Sequence, residues 1–448
     1  MPLRLRSPYD REILRLSVPA LGALVAEPLY VLADTAIVGH LGTHQLAGLA
    51  VSGIVLTAAF AVFNFLAYST TAAVARRVGA GRHRAAAEMG TDAYWLALGL
   101  GVLLTVLGLL AAPLVVDAMG ASARVRPYAL TYLRISALGA PAYLVALAGA
   151  GFLRGLQNTK PTLVIAVGAN LVNLALELLL VYAFHGGIAG SAWGTVIAQC
   201  GAALAYVWIA RRVTRETGAS ARPRASGIRA VAVIGGPLIV RTASLLAVSI
   251  AVTALAARID DVAVAAHQIA FQLNLLLALT LDAIAIAAQA MVGKYLGAGD
   301  PQDARAASIR MIELGIVIGV VLMLAVAAVS PWFPAVFSND HAVQDLGTEV
   351  LVVVAVLQPL AAVVFVLDGV LIGAGDQRYL ALAMVVATFG VFAPLAFAIS
   401  AAGGGLLALW GAIAAWMIAR AVGMVGRFVT DRWEVLGVSV TGSGNPSR

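Results

Sequence analysis

Twelve apolar runs, each long enough to cross a bilayer as a helix, constrain this chain more than any single motif. They fall at 13–38, 46–74, 92–116, 131–152, 161–183, 190–210, 231–256, 262–291, 311–332, 347–372, 379–400 and 406–426. A membrane-spanning helix takes about 20 apolar residues, and inside hydrocarbon it satisfies its own backbone polar groups. The expected fold is an all-α polytopic membrane protein. Composition agrees, with 61% of the 448 residues apolar and 11% charged, against about 25% charged in an ordinary soluble domain. That balance excludes a soluble enzyme, a disordered chain and a disulfide scaffold. Aromatic residues, at 7%, are too few for an outer-membrane barrel with aromatic girdles. The 46–74 and 262–291 runs are long enough to require tilt or extension beyond the bilayer.

The net charge of +7 would suggest nucleic acid in a soluble chain. Here the basic residues read as loop charges that set orientation, and no nucleic-acid partner is expected. Of 29 Lys and Arg residues, 24 fall on the side of the N-terminus, among them Arg76, Arg77, Arg211, Arg212, Arg310 and Arg420. Four (Arg124, Arg126, Arg134 and Arg258) fall opposite, and Arg241 is embedded. The asymmetry predicts cytoplasmic termini in a multi-pass protein of the inner cell membrane. The first run carries Glu27 and Asp34 and no small-residue cleavage site, so it reads as a membrane helix rather than a removable leader. Cys200, the single cysteine, reads as a small packing residue.

The two halves match at one offset. Pro19 pairs with Pro237, Ala47 with Ala265, Gly79-Ala80-Gly81 with Gly297-Ala298-Gly299, and Gly155 with Gly373, all 218 residues apart. Trp193-Gly194 and Trp410-Gly411 follow at 217. Six spans per half is an even number, so the two repeats enter the membrane in the same orientation and are parallel. The expected division is an N-terminal lobe at 1–210, a cytoplasmic linker at 211–230, a C-terminal lobe at 231–430 and a disordered cytoplasmic tail at 431–448. Such a duplication suits alternating access, with substrate held between lobes that rock.

Ionisable residues at bilayer depth cost upwards of about 2.5 kcal/mol, so they pair or face a wet cavity. Asp34, near the outer end of the first span, and Glu177, in the fifth, lie at similar depth. Asn173 precedes Glu177 by four residues and shares its helical face, which Asn170 extends. Two crowded carboxylates with amides beside them are candidates to bind a proton or sodium ion, and such a pair can exchange protons near neutral pH. The alternative is a hydrated helix end at Asp34 and a satisfied packing contact at Glu177. Glu27, before Pro28, either joins the ion site or bonds the backbone that the proline frees. In the second half, Arg241 and Asp282 match in depth and are expected to form a structural ion pair. Asp368 lies nearer the inner end of its span. Asn64, the repeat partner of Asp282, joins Asn170, Gln272 and Asn274 as candidates for a substrate cavity; Gln268 is a further one. His267 reads as structural, and Pro19, Pro237, Pro141 and Pro359 as kinks.

No G-x-x-x-x-G-K-[ST] loop occurs, so no ATP site is indicated. No H-E-x-x-H or Cys/His cluster marks a metal site, and no cofactor is expected beyond the coupling ion.

With these features in view, the chain resembles the multidrug and toxic compound extrusion (MATE) family, and within it the DinF-like branch. The resemblance covers nearly the whole chain. It is carried by Ser17-Val18-Pro19-Ala20, the run from Leu32 through Asp34 to Gly42, Val78-Gly79-Ala80-Gly81, and Arg154-Gly155-Leu156-Gln157-Asn158-Thr159-Lys160-Pro161. In the second half it is carried by Ala265-Ala266-His267-Gln268-Ile269 and the run from Asp368 to Asp376. The resemblance implies twelve helices in the MATE-like fold and export of organic cations and other toxic compounds against inward protons or sodium ions. It implies that Asp34 is the coupling aspartate and that Asn173 and Glu177 are the amide–carboxylate pair, with Glu here where Asp is familiar. Other branches carry an acid eight residues after the seventh-span proline. Leu245 stands there, which favours an ion site in the N-terminal lobe.

The expected function is thus secondary antiport: a monomer in membrane lipid, exporting lipophilic, often cationic, small molecules in exchange for protons or sodium ions. A flippase for lipid-linked oligosaccharides would need a more cationic cavity. A polytopic membrane enzyme would need a His/Asp or metal cluster at one interface. A major-facilitator carrier would need an acidic signature in the loop after the second span, which reads Arg-Arg-Val-Gly-Ala-Gly-Arg from Arg76 to Arg82.

Overall fold

The structure, a computed structural model, describes residues 7–437; most of the predicted tail, 438–448, lies outside them. Among the described residues there is no strand. Each apolar run becomes a helix or a helix pair. The first repeat holds α1 (Asp10–Gly39), α2 (Thr43–Ala61) with α3 (Phe65–Gly79), α4 (His83–Ala118), α5 (Arg126–Leu138) with α6 (Ala140–Gly155), α7 (Lys160–Leu178) and α8 (Gly187–Glu216). The second holds α9 (Ala225–Ile259), α10 (Asp261–Ala298), α11 (Pro301–Val329), α12 (His341–Gly373), α13 (Gln377–Val385) with α14 (Ala393–Ala401), and α15 (Leu406–Val429). Among the described residues, eleven helical segments are long and apolar enough to cross a membrane by themselves. The α5–α6 pair, bent by 49°, makes the twelfth.

The predicted kinks divide. Pro19 and Pro28 sit inside α1, Pro237 inside α9 and Pro359 inside α12. Pro141 sits in the first turn of α6. A first-turn proline removes an N–H that has no helical acceptor anyway, so the chain breaks at Gly139 rather than bending around Pro141. The two spans that match across the repeat, α7 and α13–α14, each contain a stretch of wider π turns, at Leu179–Ala183 and Val386–Phe392.

The repeat is also one of packing. A Cβ on Gly151 would collide with the carbonyl oxygen of Ala67, and one on Gly369 with that of Ala285. Both members of each contact are 218 residues apart. The same holds for Gly155 against Thr71 and Gly373 against Gln289. Lipid gives helices little hydrophobic drive to associate, so close backbone approach at small residues does more of the work. The equivalent glycines therefore fix the same α3–α6 and α10–α12 crossings.

Contacts divide the chain into two units: Val18–Gly235, and Gly236–Arg448 together with Met1–Ser17. We refer to them as the first and second lobes. The starting points, Val18 and Gly236, are again 218 apart, and both cuts fall inside helices. The opening turns of α9 pack with the first lobe, and those of α1 with the second. The linker range 211–230 accordingly contains the end of α8, a short connection and the start of α9.

An ion-pair clamp secures each crossover. In the first lobe the fully buried Asp92 accepts from the backbone N–H of Arg224 at 2.9 Å, from its Nε at 3.1 Å and from its Nη2 at 2.7 Å, while Arg224 also bonds Glu88. In the second lobe Arg310 donates to Asp10 at 2.7 and 3.0 Å, and Lys294 to Glu12 at 2.7 Å. Arg310 is the repeat partner of Asp92, so the clamp is kept with its charges exchanged. Cys200, on α8, is exposed rather than packed inside.

Candidate functional site

In the first lobe, four helices bring polar side chains to one buried point. Asp34, on α1, is 5% exposed and Glu177, on α7, is fully enclosed. The Glu177 carboxyl adjoins that of Asp34. Ser191 Oγ, on α8, donates to Asp34 Oδ1 at 2.5 Å, and the Tyr132 hydroxyl, on α5, to Oδ2 at 3.2 Å. Asn173 Nδ2 donates to Thr195 Oγ1 at 3.3 Å, which also meets the Tyr30 hydroxyl at 2.8 Å. Neither Glu177 oxygen, nor Asn173 Oδ1, accepts a hydrogen bond from a described residue.

The local sequence explains the gathering. Ser191 and Thr195 are four apart and share one face of α8. Gly194 lies between them, and a Cβ there would sit 3.1 Å from Glu177 Cγ and 3.3 Å from its backbone nitrogen. The missing side chain lets α7 approach closely enough to seat Glu177. The π turns begin two residues later, at Leu179, where an extra residue per turn re-aims the end of the span, a feature frequent at functional sites. Tyr182, in that stretch, donates to the Ile37 carbonyl at 3.3 Å and ties it to the end of α1.

Two adjacent carboxylates in a low-dielectric site are costly to hold as two bare charges. A proton or a monovalent cation between them removes that cost. The unpartnered oxygens of Glu177 and Asn173 are acceptors for such an ion. Among the described residues, no group of three or more His, Cys, Asp or Glu is placed to hold a metal ion.

The other predicted site residues are spread out. Asn170 Nδ2 donates to the Ala26 carbonyl at 2.7 Å, joining α7 to α1 just before Glu27 and Pro28. Glu27 is exposed, Asn64 ends the short turn between α2 and α3, and Gln272 is exposed on α10. Asn274 lines a cavity in the second lobe, as does Leu245. Arg241 forms an ion pair with Asp368 of α12, whose Oδ2 also lies 3.4 Å from Arg420 Nη2 on α15. Arg420, counted among cytoplasmic charges, is buried at 3% exposure. Sequence reasoning also missed Tyr132, Ser191 and Thr195. Only the four-residue spacing of the last two could have signalled them.

The sequence model of the MatE family matches residues 19–179 and 237–398, two stretches that begin 218 residues apart. The chain belongs to the MatE family. Protein DETOXIFICATION 44, chloroplastic, of Arabidopsis thaliana is 31% identical over 441 residues, covering 95% of this chain and 84% of that protein. DNA damage-inducible protein F of Escherichia coli is 28% identical over 390 residues, covering 85% and 84%. Among solved structures, a MOP superfamily transporter from Pyrococcus furiosus superposes with a TM-score of 0.85 at 21% identity, covering 96% of this chain and 97% of that one. The MatE fold, twelve membrane helices in two repeats, is therefore the fold of this chain, and the family is one of multidrug efflux transporters.

Proposed function

We propose that the protein is a secondary antiporter that exports lipophilic small molecules, cationic ones included, in exchange for protons or sodium ions. The observation that carries this reading is the buried carboxylate pair Asp34–Glu177, with hydroxyl donors on Asp34 and unpartnered acceptor oxygens on Glu177 and Asn173. An ion entering from outside neutralises the pair; losing it inside restores the repulsion, and the lobe returns empty. The reading needs no cofactor beyond the ion and no partner beyond substrate and lipid. The excess of basic residues on one side supports cytoplasmic termini in the cell membrane.

The test is transport in proteoliposomes under an imposed proton or sodium gradient, with a cationic dye as cargo. Asp34→Asn keeps the shape and one acceptor. One hydroxyl still donates to the amide oxygen and the other turns to accept from the amide nitrogen, so two charge-assisted hydrogen bonds become neutral ones, each weaker by about 1 kcal/mol, and the variant is expected to fold. Gradient-driven export should disappear in that variant. Undiminished export would remove Asp34 from the mechanism, and the gradient that drives the wild type names the ion.

A further inference from the structure

The second lobe encloses a cavity of about 250 Å3, bounded by α9, α10, α12 and α15. Its α15 wall is a single helical stripe, in which Trp410, Ile413, Trp416, Met417 and Arg420 recur every three or four residues. Phe271 and Phe365 line it from α10 and α12. One guanidinium lines the cavity, and no Asp or Glu does; Asp282 and Asp368 are outside the lining.

Three buried nitrogens in that lining have no hydrogen-bond partner among the described residues: Arg420 Nε, Trp410 Nε1 and His267 Nδ1. These side chains are 3%, 2% and 1% exposed. Two of the three atoms can only donate, and the third can donate when it carries the proton. Each such buried donor left unmatched is destabilising, and a ligand that accepts from it removes that cost. The rest of Arg420 is held in place: its guanidinium stacks 4.6 Å from the Trp416 ring centroid, Nη1 rests 3.3 Å from Met417 Sδ, and Nη2 reaches Asp368 at 3.4 Å. Arg241 holds the same Asp368 oxygen more closely. The Nε edge of Arg420 is thus a fixed cationic donor in an aromatic chamber without acids.

We infer that this cavity is a binding site for a small lipophilic anion, an aromatic monocarboxylate or an equivalent anionic headgroup, seated with its charge on Arg420 Nε and its apolar body among the aromatic side chains. The site is specific to the second lobe. At the offset of 217 that relates the tryptophans, Arg420 corresponds to Ala203. The second lobe therefore carries a fixed cationic donor that the first lobe lacks at the matching position. The inference holds whether or not Asp34 couples transport.

Binding of 1-naphthoate to the full-length protein in phosphatidylcholine nanodiscs, read by tryptophan fluorescence, tests it. The isosteric cation 1-naphthylmethylammonium is the control. Naphthoate should bind at least about tenfold more tightly than the cation and weaken by about tenfold or more in Arg420→Gln, about 1.4 kcal/mol. Ala278→Phe places a ring in the cavity from the lining of α10 while leaving Arg420 in place, and should abolish binding, which covers the case in which Arg420→Gln fails to fold. Adding phosphatidylglycerol separates two sources of the same chemistry. Displacement of naphthoate identifies a lipid headgroup as an occupant, and none identifies a free carboxylate; both support the site. Equal binding of anion and cation, or naphthoate binding unchanged by Ala278→Phe, would overturn it.

Discussion

Replacing Gly227 with alanine should unseat the clamp that holds the start of α9 in the first lobe. The new Cβ would sit 2.6 Å from Asp92 Cγ, where carbons normally stay about 3.5–4.0 Å apart. The carboxylate must then retreat by about 1 Å, and its bonds to Arg224, now 2.7–3.1 Å, pass beyond hydrogen-bonding range. Asp92 is fully buried while the Arg224 side chain is 38% exposed. The loss is therefore set at about 3 kcal/mol, the lower end of the about 3–5 kcal/mol for breaking a fully buried pair, because solvent already screens Arg224. The better helix propensity of alanine returns about 1 kcal/mol. Asp92→Ala removes the carboxylate and its charge, leaves Arg224 on Glu88, and should cost about 1 kcal/mol, less than the net loss of about 2 kcal/mol for Gly227→Ala. In the double variant the clashing carboxylate is gone and the nearest remaining atom is the Cβ at position 92, 3.2 Å away, a contact relieved by a shift of a few tenths of an ångström, so its stability should match that of Asp92→Ala alone. The apparent melting temperature in detergent at one scan rate gives the order: Gly227→Ala lowest, the double variant level with Asp92→Ala, wild type highest. Additive losses in the double variant would refute the steric argument, as would a Gly227→Ala protein that melts with wild type.

The remaining predictions concern helix approach. Gly194→Ala would place a methyl 3.1 Å from Glu177 Cγ, an overpacking of about 1–3 kcal/mol. Gradient-driven export in proteoliposomes should fall by about tenfold, equivalent to about 1.4 kcal/mol at the barrier, with folded yield retained; wild-type rates would show that the seat of Glu177 does not matter. Gly151→Ala and Gly369→Ala each drive a Cβ into a backbone carbonyl, of Ala67 and Ala285, so both should lose folded, monodisperse protein in size-exclusion chromatography. A normal yield from either would separate the two repeats at that crossing.

Several of these features were legible in the chain because they are local. A charge in an apolar run is visible without a structure, which is why Asp34 and Glu177 stood out. A residue four positions away shares a helical face, which tied Asn173 to Glu177. A duplication is a comparison of the sequence with itself, and the offset of 218 reappears in the glycine contacts and in the division into lobes. Partners across helices were not legible. Periodicity gives the face a residue occupies and span order gives its depth, but neither gives the rotation of one helix against the next.

By itself, then, the sequence determined twelve helices, their duplication and the positions where charge is costly, since bilayer thickness and helical rise leave little freedom in those matters. Only the tertiary structure decided which costly charges meet. It set Ser191 and Tyr132 on Asp34. It put Arg241 on Asp368, 127 residues away, and drew Arg420 out of the loop charges to the wall of an acid-free cavity. The physical reason is that electrostatic and hydrogen-bond energies act over a few ångströms in space, and small residues at helix crossings, not distance along the chain, set which side chains come that close.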